Sequence, residues 1–183
     1  NFGRPGVYGH RKANFIIQNA DLLLSIGSRL SIPLIGRNSD AFARKAKKII
    51  VDIDRHELEK STLKLDIAVC QSADRFIKEL LNGLSGFDND YSAWINQCQD
   101  LESNFSIVSE DYQHNTKINP YLFIHQFSEY LQENDIIVYD GGSIMNYVMQ
   151  AFRLKRGQRL VCSTGLELPG FAIPGAIGVS RWS

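Results

Sequence analysis

Two short strings carry the residue types that chemistry needs. Asp140-Gly141-Gly142-Ser143 stands where an apolar run, Ile136-Ile-Val-Tyr139, hands over to a helical pattern. Paired glycines permit unusual backbone angles and close approach. A helix start also leaves N–H groups pointing outward, Ser143 adds a hydroxyl, and the helix dipole favours an anion. A phosphate group suits such a loop. Asp140 would not face a bare phosphate; it either caps the turn or hydrogen-bonds another part of a cofactor. The plainer alternative is a strand–turn–helix whose glycines serve geometry alone. The second string is Gly27-Ser28-Arg29, which ends the apolar run Leu22–Ile26, read with Asp52 and Asp54 at the end of Ile49–Ile53. Arg29 can fork onto a phosphate or carboxylate. An acid closing a second parallel strand can accept hydrogen bonds from a ribose. Alternatively, Arg29, Asp52 and Asp54 only solvate strand ends.

Other chemistries find no support. Gly142-Ser143-Ile144-Met145 breaks the Gly-x-Ser-x-Gly pattern of a serine nucleophile, and no Walker loop occurs. His10, His56, His114 and His125 are scattered among polar neighbours and read as surface residues, with partial burial left open for His125 in the helix from Asn119. Met145 and Met149, at helical spacing, read as core filler. No Cys or His pair has zinc-ligand spacing. Cys70, Cys98 and Cys162 are odd in number and far apart; Cys70 and Cys162 lie in apolar runs, so buried free thiols in a reducing, cytoplasmic setting are expected. Twenty basic and twenty acidic residues cancel, and no basic run tracks a nucleic-acid backbone. No apolar stretch approaches the ~20 residues of a membrane span.

The elements that must position those strings alternate. A helix is expected over His10–Gln18, a strand over Leu22–Ile26, a short helix near Ser39–Ala46 with Ser39 as its cap, and a strand over Ile49–Ile53. A turn of helix from Arg55 and a strand over Ile67–Cys70 follow. Continuous apolar runs without alternation predict parallel strands covered on both faces. Ser72 then caps an amphipathic helix with Phe76, Ile77, Leu80 and Leu81 inward and Gly83 at its end. Residues 84–117 read as a connecting segment holding one polar-faced helix from Tyr91, with Trp94, Ile95, Cys98 and Leu101 on one side. A second α/β unit begins where Asn119 caps a helix with Pro120 at its first position, buried through Leu122, Phe123, Phe127 and Leu131. Strands over Ile136–Tyr139 and Arg159–Cys162 and a small-residue helix from Phe171 complete the pattern. The fold class is α/β around parallel strands with right-handed crossovers. Both ends fall inside a pattern, so the chain reads as an internal piece of a longer protein.

The order of these pieces resembles one family: thiamine-diphosphate enzymes of the acetolactate synthase and pyruvate oxidase type. The first part of the match runs through Gly6–Gly9, Ala13-Asn14, Asn19-Ala-Asp-Leu-Leu-Leu-Ser-Ile-Gly-Ser-Arg29, Phe42-Ala43, Ala46 through Asp54, and Glu57-Leu58. The second covers Asp140–Ser143 and Gly170-Phe-Ala-Ile-Pro174 through Ala176-Ile-Gly178. The resemblance implies a Rossmann-like (DHS-like) middle domain over 1–83, a linker over 84–117, and the N-terminal part of the diphosphate-binding domain over 118–183. By that resemblance Gly142, Ser143 and Ile144 fall where the cofactor diphosphate is touched. Leu168 and Gly170 fall in the turn that faces the aminopyrimidine ring. The cofactors implied are thiamine diphosphate and Mg2+, the substrate a 2-keto acid that is decarboxylated and joined to an acceptor, and the assembly a homodimer or homotetramer.

The sequence departs from the family in three places. Glu167-Leu168-Pro169-Gly170 replaces the usual Gly-x-Met-Gly, whose methionine buttresses the bent cofactor; either Leu168 takes that part or the buttress is missing. Gln71-Ser72 and Pro5–Tyr8 replace strings through which acetolactate synthase holds FAD, which leaves flavin open at Gly27, Ser28, Arg29, Asp52 and Asp54. The metal motif and the catalytic glutamate lie outside this stretch, so the chain alone is expected to be inactive. A nucleotide-binding module and a non-catalytic scaffold of the same fold remain the alternatives.

Overall fold

The computed structural model describes residues 1–109, 111–112 and 116–181. The expectation for His114 lies outside these residues. The chain forms two compact units, Asn1–Phe105 and Ser106–Ser183.

The first unit is an α/β layer on a three-stranded parallel sheet. Its strands are β1 (Leu22–Ile26), β2 (Lys47–Asp52) and β3 (Ile67–Cys70), in that order across the sheet. Leu24 pairs with Ile49, which pairs in turn with Ile67, so the two crossovers keep one register. Helix α1 (Arg11–Asn19) precedes β1, and the single turns α2 (Ile32–Ile35) and α3 (Arg55–Leu58) follow β1 and β2. Helix α4 (Ala73–Gly83) follows β3, and its Ser72 hydroxyl accepts from Arg75 N–H. That is the expected N-cap. The core gathers Ile35, Phe42, Ala43 and Ala46 against Ile17, Leu23, Leu30, Leu34 and Leu63.

Several expectations are corrected. The helix near Ser39–Ala46 is a single 3-10 turn, Ser39–Ala41, preceded by Asn38, and Ser39 caps nothing. Ala43 there adopts φ +45°, which ends any helix, and Phe42, Ala43 and Ala46 turn into the core instead. Coverage of the sheet is one-sided at its edges. Ser25, Ile50 and Val51 are buried, yet Leu22, Leu24 and Ile67 remain exposed, as do Ile77 and Leu81 of α4. Buried free thiols were expected at Cys70 and Cys162. Cys70 on the edge strand is exposed, Cys162 is half-buried, and the buried cysteine is Cys98. Burial raises the Cys98 thiol pKa above its ordinary value.

Cys98 belongs to α5 (Ser92–Asn104), the helix of the connecting segment. It lies with the first unit: Phe105 stacks on Phe15 of α1 at 4.8 Å, and Lys12 pairs with Glu102.

The second unit carries α6 (Pro120–Tyr130), β4 (Ile136–Val138), α7 (Ser143–Ala151), β5 (Arg159–Val161) and α8 (Ala172–Ser180). β4 and β5 pair in parallel. Asn119 Oδ1 accepts from the N–H groups of Tyr121 and Leu122, so the cap and its proline stand as read. The buried stripe of α6 is rotated from expectation. Ile124 and Ser128 are inside, while Phe123 and Phe127 lie in the open, stacked on one another at 5.9 Å. The reason is polar: the Ser128 hydroxyl donates to the His125 carbonyl and accepts the Arg153 N–H, which fixes that face toward the end of α7. Met145 and Val148 fill the buried side of α7. The small residues of α8 serve close packing, because a Cβ on Gly175 would stand 3.1 Å from Val138 Cγ1.

Candidate functional site

In each unit, parallel strands end in a loop that sequence singled out, and the two loops differ in what occupies them. In the first unit, Gly27 has φ +62° with open space where a Cβ would point. Its N–H continues the ladder to Val51 O at 2.8 Å, so this glycine serves a turn. Arg29 lies 76% exposed and sets Nε 3.5 Å from Glu57 of α3. Lys60 pairs with the same carboxylate from the other side. Asp52 Oδ1 accepts the Asp54 N–H, and Asp54 Oδ1 accepts the His56 N–H as the cap of α3.

The structure does bring Ser28, Arg29 and Asp52 to one cleft, together with Glu57, Lys60 and Thr62. The volume left open there is about 20 Å³, room for a water molecule. Asp54 is spent on its cap. The Arg29 and Lys60 cations that could meet a diphosphate meet Glu57 in this structure. Gln71 and Ser72 are likewise committed, Gln71 to Glu79 and Ser72 to its cap. The Arg75 and Gln71 hydrogen bonds hold the Glu79 carboxyl below its ordinary pKa.

In the second unit the two glycines after β4 have separate duties. Gly142, the N-cap residue of α7, has φ +81° and ψ −152°, and no atom lies within 4 Å of where its Cβ would stand. It offers α7 no side-chain cap, so the first N–H groups of α7, at Ser143 and Ile144, are left for an external acceptor. Ser143 is exposed and Ile144 half-buried. Gly141 provides close approach: a Cβ there would stand 2.8 Å from the Glu167 carbonyl oxygen.

That approach joins residues far apart in sequence. Asp140 Oδ2 accepts the Gly170 N–H at 3.0 Å, and its Oδ1 accepts the Phe171 N–H at 3.0 Å. The turn it holds contains two left-handed residues, Glu167 at φ +49° and Gly170 at φ +89°. Leu168 is 54% exposed. Gly142, Ser143, Ile144, Leu168 and Gly170 therefore lie on two loops that touch through Asp140 and Gly141. Sequence reading weighed Asp140 as a cap of its own turn or a cofactor contact. Its Oδ1 does accept the Gly141 N–H of its own turn at 3.2 Å, and the carboxylate also reaches residues of the loop that begins α8. No local pattern signals such a pairing.

Tyr121 stacks edge-on against Tyr147 of α7 at 4.9 Å. Desolvation, followed by the neighbouring Tyr147 and Tyr112, raises the Tyr121 hydroxyl pKa above its ordinary value. Among the described residues no group of three or more His, Cys, Asp or Glu could hold a metal ion. Among them, too, no helix is long and apolar enough to cross a membrane.

These features define a class: α/β units built on parallel strands, with glycine-bearing loops at the carboxyl ends of the strands. Residues 1–80 match the family described as thiamine pyrophosphate enzyme, central domain. Across 96% of its length the chain is 31% identical to a probable acetolactate synthase large subunit of Methanocaldococcus jannaschii, of which it covers 30%. It is also 31% identical over 96% of its length to the acetolactate synthase large subunit of Lactococcus lactis, again covering 30%. With the isozyme 1 large subunit of Escherichia coli the identity is 30% over 98% of this chain and 31% of that protein. Over residues 1–80 the chain is similar to the thiamine pyrophosphate enzyme central-domain family. It spans about three-tenths of the length of these relatives.

Proposed function

We propose that the chain is part of a thiamine-diphosphate-dependent enzyme of acetolactate synthase type. In this reading residues 1–83 are the middle domain, 84–117 the link, and 118–183 the opening part of the diphosphate-binding domain. The observation that carries it is the Asp140 carboxylate holding the Gly170 and Phe171 N–H groups at 3.0 Å each. It sets the two loops expected to meet thiamine diphosphate side by side.

The chain's own residues supply binding and shape. The uncapped start of α7 presents the N–H groups of Ser143 and Ile144 and the Ser143 hydroxyl to a diphosphate, with the helix dipole behind them. Gly142 leaves room for the anion to approach the backbone. Leu168 and Gly170 form an apolar and flexible-backbone surface for the ring system. When bound, the cofactor's thiazolium supplies the electron sink through which a 2-keto acid loses carbon dioxide, and the remainder is joined to an acceptor. The exposed apolar side chains around the loop, Leu166 and Leu168 among them, favour excluding water once covered. Magnesium, cytoplasmic location and a homodimeric or homotetrameric assembly complete the proposal. The filled cleft at Arg29 speaks against nucleotide binding as the main role.

The test is a titration of the full-length protein with thiamine diphosphate and magnesium, followed by carbon dioxide release from a 2-keto acid. Saturable binding and release support the proposal; a folded protein that takes up no cofactor overturns it. The 183-residue chain alone should release none.

A further inference from the structure

A carboxylate beside a phosphate site is electrostatically awkward, and Asp140 stands one residue before the two glycines that open α7. Like charges this close oppose binding unless the carboxylate is otherwise engaged. Asp140 is engaged by three backbone N–H groups, and its Oδ1 takes that of the adjacent Gly141 at 3.2 Å beside one more distant in sequence. Each oxygen accepts a different backbone N–H at 3.0 Å, from residues 30 and 31 positions away. Phe171 is the N-cap residue of α8, with helical φ −64° and ψ −34°, and no side chain of its own caps that helix. The Asp140 charge therefore serves α8 as a cap supplied from another loop, at the end where the helix dipole favours an anion. Gly141 sets the depth of the same contact. Its missing Cβ lets the loop lie against the Glu167 carbonyl, where a side chain would stand 2.8 Å from that oxygen. Charge and close approach fix the same two loops from two directions.

We propose that Asp140 is a positioning residue for the cofactor. It touches no reacting atom, but its hydrogen bonds from Gly170 and Phe171 fix the distance between the α7 start, which meets the diphosphate, and the Leu168–Gly170 turn, which meets the ring. This rests on the thiamine-diphosphate reading above and goes beyond it by naming what spaces the two halves of the site. An amide cannot replace the carboxylate, because its nitrogen donates and would face an N–H.

The experiment uses the full-length protein and compares wild type with Asp140→Asn in two measurements. Amide exchange without cofactor reads the loop contact itself, and calorimetric titration with thiamine diphosphate and magnesium reads its consequence. Exchange should quicken at Gly170 and Phe171, and the dissociation constant should rise about tenfold or more, the loss of one charge-assisted bond. The melting temperature should move little, because both loops are at the surface. Gly141→Ala is the second variant. It leaves the carboxylate intact but drives the loops apart, and it should weaken binding in the same way should Asp140→Asn not fold. A wild type that binds beside two folded variants that bind equally well overturns this inference alone. A wild type that binds no cofactor overturns it together with the functional reading.

Discussion

The cleft at Arg29 and the loop at Gly142 occupy equivalent places, each at the carboxyl ends of parallel strands and each opened by a glycine. They end in opposite states. At the first, Glu57 satisfies both Arg29 and Lys60, Asp54 caps α3, and the cavity shrinks to about 20 Å³. At the second, the Asp140 carboxylate accepts the Gly170 and Phe171 N–H groups, and the helix start is left without a side-chain cap. Location on a fold therefore nominates a site but does not decide it. What decides it is whether the chain's own groups already satisfy the donors and charges there.

The strongest way to break the comparison is to fill the open loop. Gly142→Val places a branched side chain at φ +81° in the space left free in front of α7. Thiamine diphosphate binding should fall about 100-fold or more, combining backbone strain of about 1–3 kcal/mol with lost room for the anion. Calorimetry with a parallel thermal melt checks this, and undiminished binding would place the diphosphate elsewhere.

Next comes the anchor at the far end of the helix that this loop opens. Ser128 is fully buried and ties α6 to the Arg153 N–H after α7. Ser128→Ala leaves that donor unpaired and should cost about 1–2 kcal/mol in urea denaturation. A neutral result would show that the α6–α7 contact does not depend on this hydroxyl.

The closed cleft can be opened in turn. Glu57→Ala releases Arg29 and Lys60 together, and ADP should then bind with about millimolar affinity where wild type shows none. Should wild type bind ADP as tightly as the variant, Glu57 is not what closes the cleft.

The smallest effect concerns Lys12 and Glu102, which join α1 to α5. Its hydrogen bond to Lys12 lowers the Glu102 pKa below the ordinary 4.5. A depressed carboxylate contributes stability above its unfolded value and loses it as pH falls through the folded one. Loosening of α5 as pH falls below the ordinary 4.5 should thus be partly abolished in Lys12→Met, followed by circular dichroism. Identical acid curves for the two proteins would remove the pair from the account.

Much of the fold was legible because its signals are local. Leu22–Ile26 is a strand as read, since a continuous apolar run bounded by Gly27 has few other uses. Asn119 and Pro120 start α6 as their chemistry requires. Gly141 and Gly142 were legible as a pair suited to close approach and unusual angles, though not which does which. Burial was read less well. Phe123 and Phe127 look like core by type, yet the inward face is set by the hydrogen bonds of Ser128, and periodicity carries no record of those. The Asp140 bridge spans 30 residues and joins a side chain to backbone. Any residue at 170 or 171 other than proline would offer the same N–H, so no residue type announces it. Glu57 similarly reads as one more surface acid until folding sets it between two cations.

The most direct measurement is calorimetric titration of the full-length protein with thiamine diphosphate in the presence of magnesium, repeated with FAD. Saturable binding of thiamine diphosphate with no binding of FAD is the result predicted by an open loop at Gly142 and a closed cleft at Arg29. Binding of FAD without thiamine diphosphate would contradict it.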